Sequence, residues 1–137
     1  MSDMPLINYQ QLVQQAKQQI QEINVDSLYQ LQDKQHAIII DIRETDESNA
    51  GVIEDAICIP RGILEANLIN IAVIKDQPDP LLALSEYDLY LYCRSGARSA
   101  LAAQSLQAMG LNSVFSVAGG ILAWQEKGYR LTTKEDK

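Results

Sequence analysis

Apolar residues follow two alternating patterns along the chain, one with helical spacing and one with short uninterrupted runs. The first residues show the helical pattern, and Asn8 with Gln11 resembles a capping box at the start of a helix. Four short runs later in the chain predict buried strands. The apolar positions of the first helix are Tyr9, Val13, Ala16, Ile20 and Ile23. The four runs lie within residues 37–40, 55–60, 88–93 and 112–120.

Helical patterns separate the predicted strands. The clearest helix covers residues 99–109, where Gly110 supplies a C-terminal stop, and another ends at Gly128. Residues 62–86 are the hardest to interpret, and their pattern predicts a helix near residues 63–74 followed by a loop. Strands that alternate with helices predict βαβ units, and therefore an α/β fold with a parallel sheet.

The length and composition of the chain fit one soluble domain. Its 137 residues are 47% apolar and 21% charged, enough to bury a core without metal or disulfide staples. No run approaches the roughly 18 to 20 apolar residues of a membrane helix. The first residues do not resemble a signal peptide, so we expect a cytoplasmic protein with no membrane partner. The formal net charge of −7 argues against a nucleic-acid partner.

Arginines and glycines lie near the ends of the predicted strands, together with Asp41 and Cys93. Ligands of open α/β sheets bind beyond the carboxyl ends of the strands, so these positions predict a locally cationic pocket for a small anion. Ordinary surface arginines are the alternative interpretation. The positions concerned are Arg43, Arg61, Arg94, Arg98, Gly119 and Gly120.

The loop at residues 93–99 is the strongest candidate for chemistry. Cys93 ends a predicted strand and a helix begins a few residues later, so the chain turns sharply, which Gly96 permits. Such a loop directs several backbone N–H groups into one concavity, and Arg94, Arg98 and the helix N-terminus add positive charge. These features favour a thiolate and predict a nucleophilic cysteine. An inert buried thiol is the alternative.

Four other positions carry weaker signals. Cys58 alternates with isoleucines in an apolar run and is predicted to lie in the core. His36 opens a predicted strand, so a Cys–His catalytic pair is disfavoured. Two cysteines are too few for a disulfide framework or a four-ligand zinc site, and no metal site is predicted. Trp124 lies on an apolar helix and is predicted to be a core residue.

The length of the cysteine loop separates two kinds of chemistry. Only four residues separate Cys93 from Arg98, one fewer than in cysteine-dependent phosphatases. A shorter ring has fewer amides and a smaller cavity. It therefore suits a single sulfur atom carried on the cysteine better than a tetrahedral oxyanion.

Four segments of the chain resemble motifs of the rhodanese-like domain family, in its single-domain bacterial form. The resemblance extends from about Val25 to Leu131. It implies one rhodanese-like domain at residues 25–137, with a parallel sheet of about five strands and helices on both faces, preceded by a helical extension at residues 1–24. The four segments are residues 41–44 (DIRE), 51–62 (GVIEDAICIPRG), 93–99 (CRSGARS) and 117–124 (VAGGILAW).

The resemblance implies a sulfurtransferase that needs no cofactor. Cys93 would take the outer sulfur of a small anionic donor such as thiosulfate as a persulfide, and pass it to cyanide, a thiol or a protein acceptor. Arg94 and Arg98 would attract the donor while the loop amides hold the outer sulfur. The residues so assigned to substrate binding are Arg94, Ser95, Gly96, Ala97, Arg98 and Ser99. The residues assigned to support the loop are Asp41, Arg43 and Arg61.

The second segment departs from the family pattern. The family commonly has Gly-His-Ile-Pro-Gly-Ala where this chain has residues 51–56, so the histidine is missing and Asp55 replaces a turn glycine. Asp adopts left-handed backbone more readily than most residues, so the turn is tolerable. Two other functions stay open at this point. One is a non-catalytic binding module that docks through its N-terminal helix, and the other is a cysteine-dependent phosphatase or arsenate reductase.

Overall fold

A computed structural model describes residues 5–31 and 36–133 and confirms the predicted α/β fold with a five-stranded sheet. The strands are β1 (Gln21–Ile23), β2 (Ala37–Asp41), β3 (Ile57–Cys58), β4 (Asp88–Tyr92) and β5 (Val114–Val117). They lie in the order β1–β5–β4–β2–β3, and every pair of neighbours is parallel. Strand β4 is therefore central, and its carboxyl end opens onto the middle of one sheet edge.

Helices cover both faces of this sheet, as predicted. The helices are α1 (Tyr9–Lys17), α2 (Val25–Leu31), α3 (Thr45–Asn49), α4 (Leu64–Asn67), α5 (Pro80–Leu84), α6 (Ala97–Ala108) and α7 (Gly120–Glu126). Two 3₁₀ turns, Arg61–Ile63 and Leu68–Asn70, flank α4. None of the helices in the described ranges is long and apolar enough to cross a membrane.

Successive residues at the end of β4 enter different cores, because side chains alternate between the two faces of a strand. Leu91 packs in the same core as Leu106 of α6, whereas Tyr92 packs in the opposite core with Trp124 of α7. The next residue, Cys93, returns to the first face. The predicted core role of Trp124 is confirmed, and its indole N–H donates to the Arg130 carbonyl at 3.0 Å.

The N-terminal helix is shorter than its apolar spacing predicts. Its capping box is confirmed, because the Asn8 side chain accepts from the Gln11 N–H and the Gln11 side chain accepts from the Asn8 N–H, both at 2.8 Å. The helix ends at Lys17, however, and residues 21–23 form strand β1 beside β5. The prediction of helix through Ile23 was wrong, because hydrogen bonding to β5 outweighs a local helical pattern.

Helix α1 packs on its own domain through its apolar face. Val13 and Ala16 form a small buried cluster with Ala100 of α6. The division of the chain into residues 1–24 and 25–137 stays a prediction, although β1 ties the end of the first segment to the sheet.

The segment between β3 and β4 also differs from its prediction. The helix predicted near residues 63–74 is broken into α4 and the two 3₁₀ turns, and α5 occupies part of the predicted loop. The sequence at the start of α5 contains two residues typical of a helix N-terminus, which the prediction of a loop did not take into account. Asp79 is its N-cap and accepts from the Leu82 N–H at 3.2 Å, and Pro80 holds the first helical position, where proline is favoured.

Candidate active site

Cys93 and its loop connect the central strand β4 to helix α6. Gly96 forms the turn with a φ of +104°, and a β-carbon there would lie 3.3 Å from the backbone nitrogen of Gly119. A side chain at this position would therefore meet both backbone strain and a close neighbour. The loop and the Gly119–Gly120 pair pack closely together at the carboxyl ends of β4 and β5.

Two backbone N–H groups point at the sulfur of Cys93. The Gly96 N–H donates to Sγ at 3.1 Å and the Ser99 N–H donates at 3.4 Å. The Ser99 hydroxyl lies 3.6 Å from the same sulfur and shares a 2.8 Å hydrogen bond with the Ser116 hydroxyl. The sulfur therefore accepts hydrogen bonds from the backbone of its own loop.

Cys93 is buried beneath its own loop, and the residue as a whole is only 1% exposed. Arg94 and Ser95 are exposed at the rim, whereas Gly96 and Ser99 are buried. The pattern shows a thiol enclosed by its own loop rather than one presented on the surface. Access of a donor to Sγ is therefore restricted in this loop.

The N-terminus of α7 holds the loop from the other side. The Ile121 N–H donates to the Cys93 carbonyl at 2.9 Å, and the Leu122 N–H donates to the Arg94 carbonyl at 3.1 Å. These bonds satisfy two N–H groups that the first turn of a helix leaves without internal partners. Gly120 permits this approach, because its own β-carbon would overlap the Cys93 carbonyl and lie 2.6 Å from the Arg94 carbonyl.

A buried ion pair supports the strand that carries Cys93. Asp41 at the end of β2 is 0% exposed and Arg43 is 7% exposed, and their closest nitrogen–oxygen distance is 2.8 Å. Arg43 also donates to the Gly51 carbonyl at 2.7 Å, and its guanidinium lies 5.8 Å from the centre of the Tyr92 ring. The pair therefore lies against Tyr92, the residue next to Cys93.

Tyr92 stays protonated within this buried group. Burial and the Asp41 carboxylate raise the pKa of Tyr92 well above its ordinary value. Its phenol oxygen accepts from the Ile53 N–H at 3.0 Å. The residue acts as a neutral brace between β4 and the loop that follows α3.

The two arginines of the loop differ in their partners. Arg98, in the first turn of α6, forms two hydrogen bonds of 2.8 and 3.0 Å to the carboxylate of Glu47 in α3. None of the ion pairs among the described residues involves Arg94, which is exposed and lines a cavity of about 300 Å³ together with Arg43, Glu47 and Gly51. Sequence reasoning missed Glu47, although it lies in the segment that follows the DIRE motif.

Arg61 braces α6 rather than the cysteine loop. Its guanidinium pairs with Glu65 at 2.8 Å, and the same carboxylate oxygen accepts from the Ser105 hydroxyl at 2.6 Å. Ser105 lies six residues beyond Ser99, roughly 9 Å further along the helix. The support predicted for Arg61 is therefore indirect and acts on the helix that follows the loop.

His36 and Cys58 lie apart from the sulfur of Cys93. His36 accepts from Asp88 through its carbonyl, at the opposite end of β4. Five strand residues then separate it from Cys93, or roughly 16 Å. Cys58 is exposed, so the prediction that it lies in the core was wrong. It lies on the two-residue strand β3, which is at the edge of the sheet formed by the described residues and pairs there with β2.

A family model described as Rhodanese-like domain matches residues 24–127. This match covers most of the chain and includes the cysteine loop, the Asp41–Arg43 pair and the start of α7. The chain belongs to the rhodanese-like domain family.

Individual relatives match over most of their own length. A sulfurtransferase from Allochromatium vinosum is 33% identical over 117 residues, which cover 85% of this chain and 98% of that protein. A Rhodopseudomonas palustris protein of unknown function, described as a possible tyrosine phosphatase, is 26% identical with a TM-score of 0.78, over 96% of this chain and 99% of that one. The human single-domain sulfurtransferase TSTD1 is 26% identical with a TM-score of 0.60, over 77% and 96%. Similarity to sulfurtransferases supports sulfur transfer in general.

Proposed function

We propose that this protein is a sulfurtransferase in which Cys93 carries the transferred sulfur as a persulfide. The observation that supports it most directly is the pair of N–H donors, from Gly96 and Ser99, aimed at the cysteine sulfur. The same donors can hold the outer sulfur of a persulfide after small movements of the loop. The donor is a small sulfane-sulfur anion such as thiosulfate, and the acceptor is a thiol, a protein thiol or cyanide.

The proposed reaction has two displacements that balance without an external oxidant or reductant. The Cys93 thiolate attacks the outer sulfur of thiosulfate, and the sulfur–sulfur bond of the donor breaks as sulfite leaves with the electron pair. The acceptor then attacks the outer sulfur of the persulfide. The sulfur–sulfur bond of the persulfide breaks, and its electron pair returns to the Cys93 sulfur, which regenerates the thiolate.

The surrounding residues have separate roles in this proposal. The backbone amides of residues 94–99 hold the outer sulfur, and Arg94 offers an exposed positive charge to the incoming anion. Asp41 and Arg43 keep the end of β4 in place through the contacts with Tyr92 and Gly51. Asp41 and Arg43 therefore position the strand that carries Cys93 and take no part in the displacement itself.

Loop length favours this proposal over phosphatase chemistry, despite the structural relative described as a possible tyrosine phosphatase. Four residues separate Cys93 from Arg98, and the guanidinium of Arg98 is held by Glu47 instead of facing an oxyanion over the cysteine. A phosphoryl group needs several converging donors at its equatorial oxygens. The loop offers a smaller cavity with donors directed at the sulfur itself.

One observation favours a second candidate, a rhodanese-like binding module without turnover. Cys93 is 1% exposed, so the resting loop restricts access to its sulfur. A protein that accepts sulfur on Cys93 but passes none to cyanide above the background rate would fit this second function. Steady turnover would favour the first.

The proposal is tested by intact-protein mass after incubation with thiosulfate. Wild-type protein should gain one sulfur atom, the Cys93→Ala variant should gain none, and the Cys58→Ser variant should gain the same as wild type. A wild type that never gains the atom, or a Cys93→Ala variant that gains it equally, would contradict the proposal.

A further inference from the structure

The carboxylate of Glu47 compensates the positive charge of Arg98, one of the two arginines in the loop that follows Cys93. Both oxygens of its carboxylate contact the Arg98 guanidinium, at 2.8 and 3.0 Å. A bidentate contact of this kind fixes the orientation of the arginine side chain more firmly than a single hydrogen bond does. Each side chain is 31% exposed, so the pair lies at the edge of the site instead of inside the core.

The carboxylate is itself fixed in place by the start of α3. One oxygen of Glu47 also accepts from the Glu44 N–H at 3.0 Å, which closes the capping box of this short helix. The end of the helix is held through the bond from Arg43 to the Gly51 carbonyl at 2.7 Å. Glu47 therefore meets Arg98 from a helix secured at both ends.

Glu47 remains charged at every pH at which the protein would be assayed. The hydrogen bond from Arg98 lowers its pKa to about 2, against a partial opposing effect of burial. The negative charge of Glu47 raises the pKa of Arg98, as do, less strongly, the nearby groups of Cys93 and Tyr9. Arg98 and Glu47 together contribute almost no net charge to the loop.

The two arginines of the loop are therefore electrically unequal. Arg98 is compensated, whereas Arg94 is exposed and belongs to no ion pair among the described residues. An uncompensated Arg98 would attract a donor with two negative charges about twice as strongly as a donor with one. Compensation of Arg98 by Glu47 therefore costs the doubly charged donor more attraction than the singly charged one.

We infer that Glu47 is a positioning residue that sets donor specificity: by holding Arg98 it withholds one positive charge from the donor, so the site favours singly charged sulfane donors over the thiosulfate dianion. The inference rests on the proposed function, because it concerns the choice of donor at Cys93. Thiosulfate and methanethiosulfonate form a matched pair of probes. Both transfer an outer sulfur from a sulfonyl group, but the first carries two negative charges and the second carries one.

The first test measures charge at Cys93 without any sulfur transfer. Iodoacetate and iodoacetamide alkylate a thiolate by the same displacement of iodide, and only iodoacetate is an anion. The Glu47→Gln variant keeps an acceptor for the Glu44 N–H and removes the charge. The ratio of the iodoacetate rate to the iodoacetamide rate at Cys93 should rise about three- to tenfold, within the range of a screened unit charge at a protein surface.

The matched control is Glu65→Gln, which removes the carboxylate of the similarly exposed Arg61–Glu65 pair. This variant changes the net charge of the protein equally but should leave the ratio within about twofold of wild type, because a solvent-exposed charge further from the sulfur is screened. A purely structural loss in Glu47→Gln would change both alkylation rates together and leave their ratio unchanged. That result, or a Cys93 that reacts with neither reagent, would overturn the inference.

The second test compares the two sulfur donors. In Glu47→Gln the value of kcat/KM for thiosulfate should rise about three- to tenfold relative to that for methanethiosulfonate, mainly through KM, and the gain should shrink as salt is added. Loading of Cys93 by both donors with an unchanged preference would refute the inference and leave the proposed function intact. If neither donor loads Cys93 in wild type or in Glu47→Gln, both the inference about donor choice and the proposed function are refuted. A changed alkylation ratio would in that case still show that Glu47 governs the charge near Cys93.

Discussion

The two cysteines of this chain differ in a way that exposure alone would misinterpret. Cys58 is exposed and Cys93 is buried, although both lie at the same end of the sheet. Asp41 of β2 is in register with Tyr92 on one side and with Cys58 on the other. The cysteine that follows Tyr92 enters a loop in which the Gly96 and Ser99 N–H groups are aimed at its sulfur. The reactivity that we propose for Cys93 therefore rests on these donors and not on its accessible area.

The largest expected difference between the cysteines is in turnover. Replacing Cys93 by Ser should reduce thiocyanate formation from thiosulfate and cyanide by about a thousandfold or more, because the covalent carrier is lost. Replacing Cys58 by Ser should leave the rate within about twofold. Comparable losses in the two variants would abolish the distinction.

The backbone around Cys93 should tolerate less change than the backbone that follows Cys58. Gly120→Ala places a β-carbon against the Cys93 and Arg94 carbonyls at a φ of +56°, so we expect a loss of about 3 to 4 kcal/mol in the free energy of unfolding. Gly62→Ala meets nothing within 4 Å and should change this free energy by less than about 1 kcal/mol. Urea denaturation measures both, and a Gly120→Ala variant as stable as wild type would contradict the described packing of α7 on the loop.

Asp41 should matter more for stability than for the chemistry itself. Asp41→Asn leaves Arg43 as a buried guanidinium without its carboxylate, which should cost about 3 kcal/mol of folding free energy. The partly exposed Arg61–Glu65 pair supplies the contrast, because Glu65→Gln should cost less than about 1 kcal/mol. Equal costs for the two variants in urea denaturation would show that the buried pair has no special role beside Cys93.

The smallest expected effect is the pH dependence that Glu47 gives to stability. Its pKa is about 2 in the folded protein and near its ordinary value of 4.5 when unfolded. Because the folded value is lowered, its contribution is complete above pH 4.5 and disappears as the pH falls towards 2. Solvent screening limits that contribution to about 1 kcal/mol. The stability difference between wild type and Glu47→Gln should therefore shrink between about pH 5 and pH 2, and a constant difference would contradict the lowered pKa.

The sequence predicted the parts of this molecule whose causes are local. The Asn8 capping box, the break at Gly110 and the loop around Gly96 each follow from neighbouring residues, and the structure contains all three. The predicted core position of Cys58 failed because an alternating run does not reveal that its strand lies at the edge of the sheet.

Contacts between distant segments were beyond such reasoning. Glu47 and Arg98 are 51 residues apart in the chain, and only the parallel order of β2 and β4 brings their loops together. The strand at residues 21–23 likewise exists because β5 offers it hydrogen-bonding partners. Both features depend on strand order, which periodicity along one segment does not encode.

The most direct test of the central claim lets the two cysteines compete within one molecule. Wild-type protein is loaded with thiosulfate, capped with iodoacetamide in the absence of reductant and digested with trypsin. Cys93 then lies in the peptide of residues 76–94 and Cys58 in the peptide of residues 44–61. We predict one additional sulfur atom on the peptide that contains Cys93 and none on the other. Additional sulfur on the Cys58 peptide alone, or on both peptides equally, would contradict the account.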